Sequence, residues 1–194
     1  MKLYLAPGAC SLADHIALHE AGLEFERIKV DIPTRRTESG DDFTKVNPKG
    51  YVPALVLGDG TVLTENAAIL TWVAERAPRL APGGELGRVR LAEMLSFIGA
   101  ELHKLLIRSI FPTSDQEKQV VDEVAAQRFA YIAERLPGDY LFGREMSVAD
   151  AYLYVMLRWA KALKLPLPDP LPAYFDRMEA RPAVQLALRH EGLI

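Results

Sequence analysis

The single cysteine of the chain, Cys10, follows a short apolar run, Lys2-Leu3-Tyr4-Leu5-Ala6, and the turn Pro7-Gly8-Ala9, and it stands where a helical segment begins near Ser11. The first N–H groups of a helix have no intrahelical partner and carry the positive end of its dipole, so a thiol placed there is expected to ionise readily. A fall of two units from about 8.5 would favour the thiolate by about 2.7 kcal/mol and make it a nucleophile at neutral pH. The plainer reading is a small buried hydrophobe. Ala13 stands where a C-x-x-C motif would have its second cysteine, so a mixed disulfide formed at Cys10 must be released by an outside thiol.

Other candidates are charged or polar groups at element ends. Glu65 and Asn66 open a helix, where free N–H groups suit a carboxylate ligand, although an acidic residue there also simply complements the dipole. Ser11 serves either as a donor to a thiolate or as a helix-start residue. His15 and His19 on the first helix read as surface or packing residues, and no metal is expected. The net charge of −3 argues against a nucleic-acid footprint, with Arg35-Arg36, Lys29 and Lys45 making at most a small basic loop. No apolar run approaches the ~18 residues that span a bilayer, and no signal peptide opens the chain, so no membrane role and a cytoplasmic location are expected.

These residues need a scaffold that brings them together. The first 78 residues mix strands and helices, whereas everything after residue 85 reads as helix. After the first strand, a helix runs to Gly22, and Arg27 to Ile32 alternates as a half-buried strand. Pro33 to Gly50 reads as loop with one helical turn near Asp41 to Val46. Ala54 to Leu57 and Thr61 to Leu63 flank Gly58-Asp59-Gly60 as a hairpin, and a helix follows from Glu65 to about Ala77, stopped by Pro78. Residues 79–85 have the Pro/Gly content of a connection. Beyond it, a helix from Leu86 to Phe111 is followed by one opened by the capping box Ser114-Asp115-Gln116-Glu117. Ser147-Val148-Ala149-Asp150 caps a segment, apolar nearly all round, that should be the central buried helix. Two short closing helices, Pro172 to Arg181 and Pro182 to Arg189, complete the chain.

The thiol at the first strand-to-helix turn, β-α-β then β-β-α, and Val52-Pro53 leading into the third strand describe a thioredoxin-like domain. The chain resembles the soluble glutathione transferases, most closely the bacterial beta class, over essentially its whole length. The resemblance rests on Lys2-Leu3-Tyr4, Pro7-Gly8-Ala9-Cys10-Ser11-Leu12, Thr37-Glu38-Ser39-Gly40, Asn47-Pro48-Lys49-Gly50, Val52-Pro53-Ala54-Leu55, Leu63-Thr64-Glu65, Glu101-Leu102-His103-Lys104, Ser147-Val148-Ala149-Asp150-Ala151-Tyr152 and Glu191-Gly192-Leu193-Ile194. It implies an α/β thioredoxin-like N-terminal domain (1–78) that binds glutathione, and an all-α C-terminal domain (86–194) that contributes the pocket for a small apolar electrophile.

The resemblance also implies roles. Cys10 would face the sulfur of glutathione, and Val52, before a cis Pro53, would pair with the peptide backbone. Glu65 would accept the γ-glutamyl amine, Arg35 would reach the glycyl carboxylate, and His103 and Lys104 would approach across the interdomain cleft, His103 orienting or deprotonating a thiol. Asn66 departs from the Gly or Ser common in the family, and is expected still to donate to a carboxylate. Leu5, Leu106, Ile107 and Ile110, with Phe111 and Trp159, suggest an apolar co-substrate pocket, or else core. The implied activity is conjugation of glutathione to electrophiles with thiol–disulfide exchange at Cys10, in a homodimer joined through the helix carrying Trp72 and the helix carrying Met94. A glutathione-dependent monothiol reductase or peroxidase and a non-enzymatic binding protein are the alternatives.

Overall fold

A computed structural model describes all residues 1–194. A five-stranded mixed sheet has the order β3-β2-β1-β4-β5, with β1 (Lys2–Leu5), β2 (Glu26–Asp31), β3 (Arg36–Thr37), β4 (Ala54–Val56) and β5 (Val62–Thr64). β1 and β2 run parallel, with Leu3 opposite Arg27, because α1 (Leu12–Ala21) provides the crossover that parallel neighbours need. β4 pairs antiparallel with β1 and with β5, whose tight connection is the Gly58-Asp59-Gly60 hairpin. Gly22 ends α1 in the left-handed conformation at φ 71°, as its position after the last apolar turn predicts. Helix α2 (Asn66–Arg76) follows β5 directly.

The remainder is helical. α3 (Gly87–Phe97) continues through a π-helical turn, Ile98–His103, into α4 (Lys104–Ile110); α5 (Asp115–Glu134), α6 (Val148–Ala162), α7 (Leu171–Glu179) and α8 (Pro182–Glu191) follow. Leu153 to Leu157 of α6 are all fully buried, confirming the central position read from its composition. Asp150 holds the start of α6: its carboxylate accepts the N–H groups of Ser147 (2.7 Å) and Leu141 (2.8 Å) and the Tyr174 hydroxyl (2.8 Å). One continuous core of 43 buried residues runs from Leu3 on β1 to Leu188 on α8, so the sheet-bearing part and the helical part share their interior. No helix is long and apolar enough to cross a membrane.

Three features depart from the sequence expectations. Arg36–Thr37, read as loop, forms a short edge strand paired with Val30 and Asp31. The long helix carries a π turn, and Pro78–Leu80 forms a 3-10 turn whose Leu80 is buried, so the polar composition of the following connection does not describe its first turn.

Candidate active site

The turn after β1 is built so that Cys10 points back at the sheet. Gly8 adopts φ 71°, which an L side chain rarely tolerates, and its peptide is gripped from both sides. Its N–H donates to Glu191 Oε2 at 2.8 Å, and its carbonyl accepts the Trp159 indole N–H at 2.8 Å. Ser11 is fully buried, and its hydroxyl accepts the Ala6 N–H at 3.2 Å, which keeps it on the turn. Ser11 stands at the N-cap of α1, with its hydroxyl engaged by the Ala6 backbone and not by the helix.

Cys10 is 8% exposed, and its thiol lies 3.6 Å from the Val52 carbonyl, to which it donates. The Val52–Pro53 peptide is cis. Burial, aided by the carboxyl of Asp14, pushes the Cys10 pKa up to about 12, against the pull of the Cys10 and Ser11 backbone N–H groups. The expectation of a ready thiolate is corrected: helix-start N–H groups do favour ionisation here, but desolvation outweighs them. Asp14 is itself wholly buried, and burial raises its pKa well above the usual carboxylate range.

Asn66 joins the two. Its side-chain amide donates to the Cys10 carbonyl at 2.9 Å and to Asp14 Oδ2 at 2.7 Å, so both amide hydrogens are spent inside the protein. The expectation that this side chain donates to a ligand carboxylate is corrected accordingly. Glu65, next to it, sits at φ 73° and ψ 127°, a costly conformation for a side-chain-bearing residue, of order 1–3 kcal/mol. Its carboxylate meets Lys49 Nζ and accepts the Tyr51 hydroxyl at 2.9 Å. The hydrogen bond from Lys49 holds its pKa below the usual range. Lys49 and Tyr51 were missed as partners because nothing local to their positions points toward β5. Arg35, exposed at φ 55°, lays its guanidinium stem over Gly50, between these two residues.

Across from the thiol, the π turn ends on His103. An inserted residue changes the phase of a helix, and such turns often occur at functional sites. His103 Nδ1 lies 2.7 Å from the Tyr152 hydroxyl, its ring packs edge-on against Trp159 at 5.2 Å, and its Nε2 is buried without a partner. Burial and the neighbouring Lys104 lower its pKa to about 4, so the imidazole is neutral at pH 7. Tyr152, whose phenol pKa is raised by burial and by Cys10, Asp14 and Glu65, joins this group although sequence spacing gave it no role. Lys104 is exposed, and its charge is felt by Glu65 across the cleft.

The six apolar candidates separate. Leu5 (1% exposed) and Leu106 (0%) belong to the core, from the inner side of β1 and of α4. Ile107, Ile110 and Phe111, 75% exposed, share one solvent-facing side at the end of α4. Trp159 is half-buried, and its indole is occupied with Gly8.

Two family models match the chain: "Glutathione S-transferase, N-terminal domain" over residues 9–76 and "Glutathione S-transferase, C-terminal domain" over residues 98–182. The chain is 44% identical to "Glutathione S-transferase GstA" of Escherichia coli O157:H7 over the full length of both. Among solved structures, it is similar to the bacterial transferase BphK in a ternary complex (46% identity, TM-score 0.93, 99% of this chain and 100% of that one). It is also similar to a sphingomonad glutathione S-transferase complexed with glutathione (46% identity, TM-score 0.91, 100% of both chains).

Proposed function

Since this chain belongs to the glutathione transferase family, in its bacterial beta-class form, we propose that it binds glutathione along the groove between Cys10 and Glu65 and conjugates it to small apolar electrophiles. One observation supports this placement above the others: the Cys10 thiol and the Val52 carbonyl meet at 3.6 Å, at the foot of the helix that Glu65 opens. An extended peptide has there a backbone carbonyl ahead of β4 to pair with, an acidic group for its ammonium and a helix N-terminus for its carboxylate. Residues 1–78 would hold glutathione, 79–85 would connect, and 86–194 would complete the cleft. Arg35 and Lys104 are the cations for the glycyl end, and Ile107, Ile110 and Phe111 form the apolar side offered to the electrophile.

In conjugation, glutathione's thiol loses its proton to solvent water, and the resulting thiolate displaces the electrophile's leaving group. Because Cys10 keeps its own proton, its S–H turns from the Val52 carbonyl to that thiolate and acts as a donor rather than as a competing nucleophile. His103, uncharged and joined to Tyr152, orients the sulfur's surroundings, and catalysis is positional and electrostatic. In thiol–disulfide exchange, Cys10 must first ionise. A protonated Asp14 eases that step by removing one of the influences, after burial itself, that hold the thiol up. Cys10 then attacks the glutathione sulfur of a mixed disulfide, releases the other partner as its thiolate, and is freed when a second glutathione takes the bound one away as glutathione disulfide. The protein would work in the cytoplasm, as a homodimer. Assays with glutathione and an aromatic halide, and separately with a mixed disulfide, test the proposal; glutathione binding with neither activity would favour a binding protein.

A further inference from the structure

Away from this cleft, α1 and α8 bring three histidines to one edge of the molecule. His15 and His19 stand one helical turn apart on α1, His190 comes from the last turn of α8, and one ring nitrogen from each lies within 4.8 Å of the others. His19 Nε2 and His190 Nδ1 are already 3.3 Å apart. Ligand nitrogens roughly 2.0–2.1 Å from a tetrahedral ion are separated by about that distance.

His15 carries the second, independent observation. It is fully buried, and its Nδ1 lies 2.8 Å from Oε1 of Glu191, itself 4% exposed. A buried carboxylate places the imidazole proton on Nδ1 and leaves the lone pair on Nε2. That Nε2 is buried and has no partner in the protein, an arrangement that costs free energy until something accepts the lone pair. A carboxylate behind a histidine whose far nitrogen is free is the outer shell that orients metal-binding imidazoles. The Phe25 ring, edge-on to His15 at 5.6 Å and 5.0 Å from His19, supplies an apolar wall.

We propose that His15, His19 and His190 bind one divalent transition-metal cation of the zinc type, with Glu191 positioning His15 and water completing the shell. Three imidazoles and no protein oxygen in the inner shell suit zinc, cobalt, nickel or copper, and not magnesium or calcium. Arg27 donates to His190 Nδ1 at 3.0 Å, and its exposed side chain moves into solvent when the ion takes that lone pair. The bound cation clamps the last helix to the first. Because Glu191 also holds the Gly8 N–H, the clamp reaches the turn that carries Cys10.

The test uses the tag-free full chain, stripped with a chelator and titrated with cobalt, then with zinc or magnesium. The expected result is one cobalt per chain with tetrahedral visible absorption and no sulfur charge-transfer band, displaced by zinc but not by magnesium. His19→Ala and His190→Ala, at half-buried positions outside the cleft, each abolish stoichiometric uptake while circular dichroism and glutathione-dependent activity stay at the wild-type level. Zinc should raise the thermal midpoint of the wild type and of neither variant. His15 is too deeply packed for its replacement to be the deciding variant. No saturable uptake by the wild type, unchanged affinity in both variants, or a thiolate band lost in Cys10→Ala would overturn the proposal.

Discussion

Cys10 shows how two local effects of opposite sign are resolved by burial. The helix-start N–H groups were legible from the turn Pro7-Gly8-Ala9, but the contribution of Asp14 and the enclosure by Val52 were not, because the latter comes from 42 residues away. The protonated thiol separates the two chemistries. In Cys10→Ala, thiol–disulfide exchange should fall to background, since no other cysteine exists, while a substantial part of the conjugating rate remains. Mass spectrometry after treatment with oxidised glutathione should show one added glutathione on the wild type and none on the variant; full exchange by the variant would refute the assignment. Glu65 gives a second test at this scale. Glu65→Gln removes the charged acceptor for an α-ammonium, so the Michaelis constant for glutathione should rise by the equivalent of about 1.5–3 kcal/mol. Lost stability with that constant unchanged would instead assign Glu65 to the helix dipole.

At the scale of elements, helices α1, α2 and α6 were legible because apolar spacing, Gly22 and the Ser147 and Asp150 cap are written locally in the chain. The edge strand at Arg36–Thr37 was not, since two residues have no periodicity and their pairing depends on β2. The π turn was hidden too, because Ile98 to His103 reads as ordinary amphipathic helix. Nor does local sequence show that α6 reaches across to the first turn: Trp159 is 151 residues from Gly8, yet their hydrogen bond joins the central helix to the Cys10 loop. Trp159→Phe keeps most of the ring's packing and removes the donor, so it should cost about 0.5–1.5 kcal/mol of stability. Faster amide hydrogen exchange should be confined to the turn around Gly8 and Cys10. Unchanged exchange there would show that Glu191 alone holds the turn.

For the whole molecule, the shared core predicts that both parts unfold together, so assembly and stability can be read on a single transition. The proposed dimer should sediment as such at micromolar concentration. Its interface is sought on α2 and α3, where Val89 is 62% exposed and Trp72 lies beneath the Arg76 guanidinium at 3.6 Å. A monomer with full activity would exclude it. Acid should expose the cost of keeping His103 neutral. The unfolded chain takes up a proton at this histidine near 6.5, whereas the folded protein does so only near 4. Between these values the unfolded state holds more protons, so stability falls as the pH falls, by up to about 3 kcal/mol for the full shift. His19, lowered to about 4 by burial and by His15, adds with the same sign. The buried carboxyls of Asp14 and Asp150, whose pKa values are raised, act with the opposite sign. The informative quantity is therefore the difference between wild type and His103→Gln, followed by urea unfolding from about pH 7 to about pH 5. The variant should lose less stability over this range than the wild type, and identical losses would mean that His103 is already protonated in the folded state.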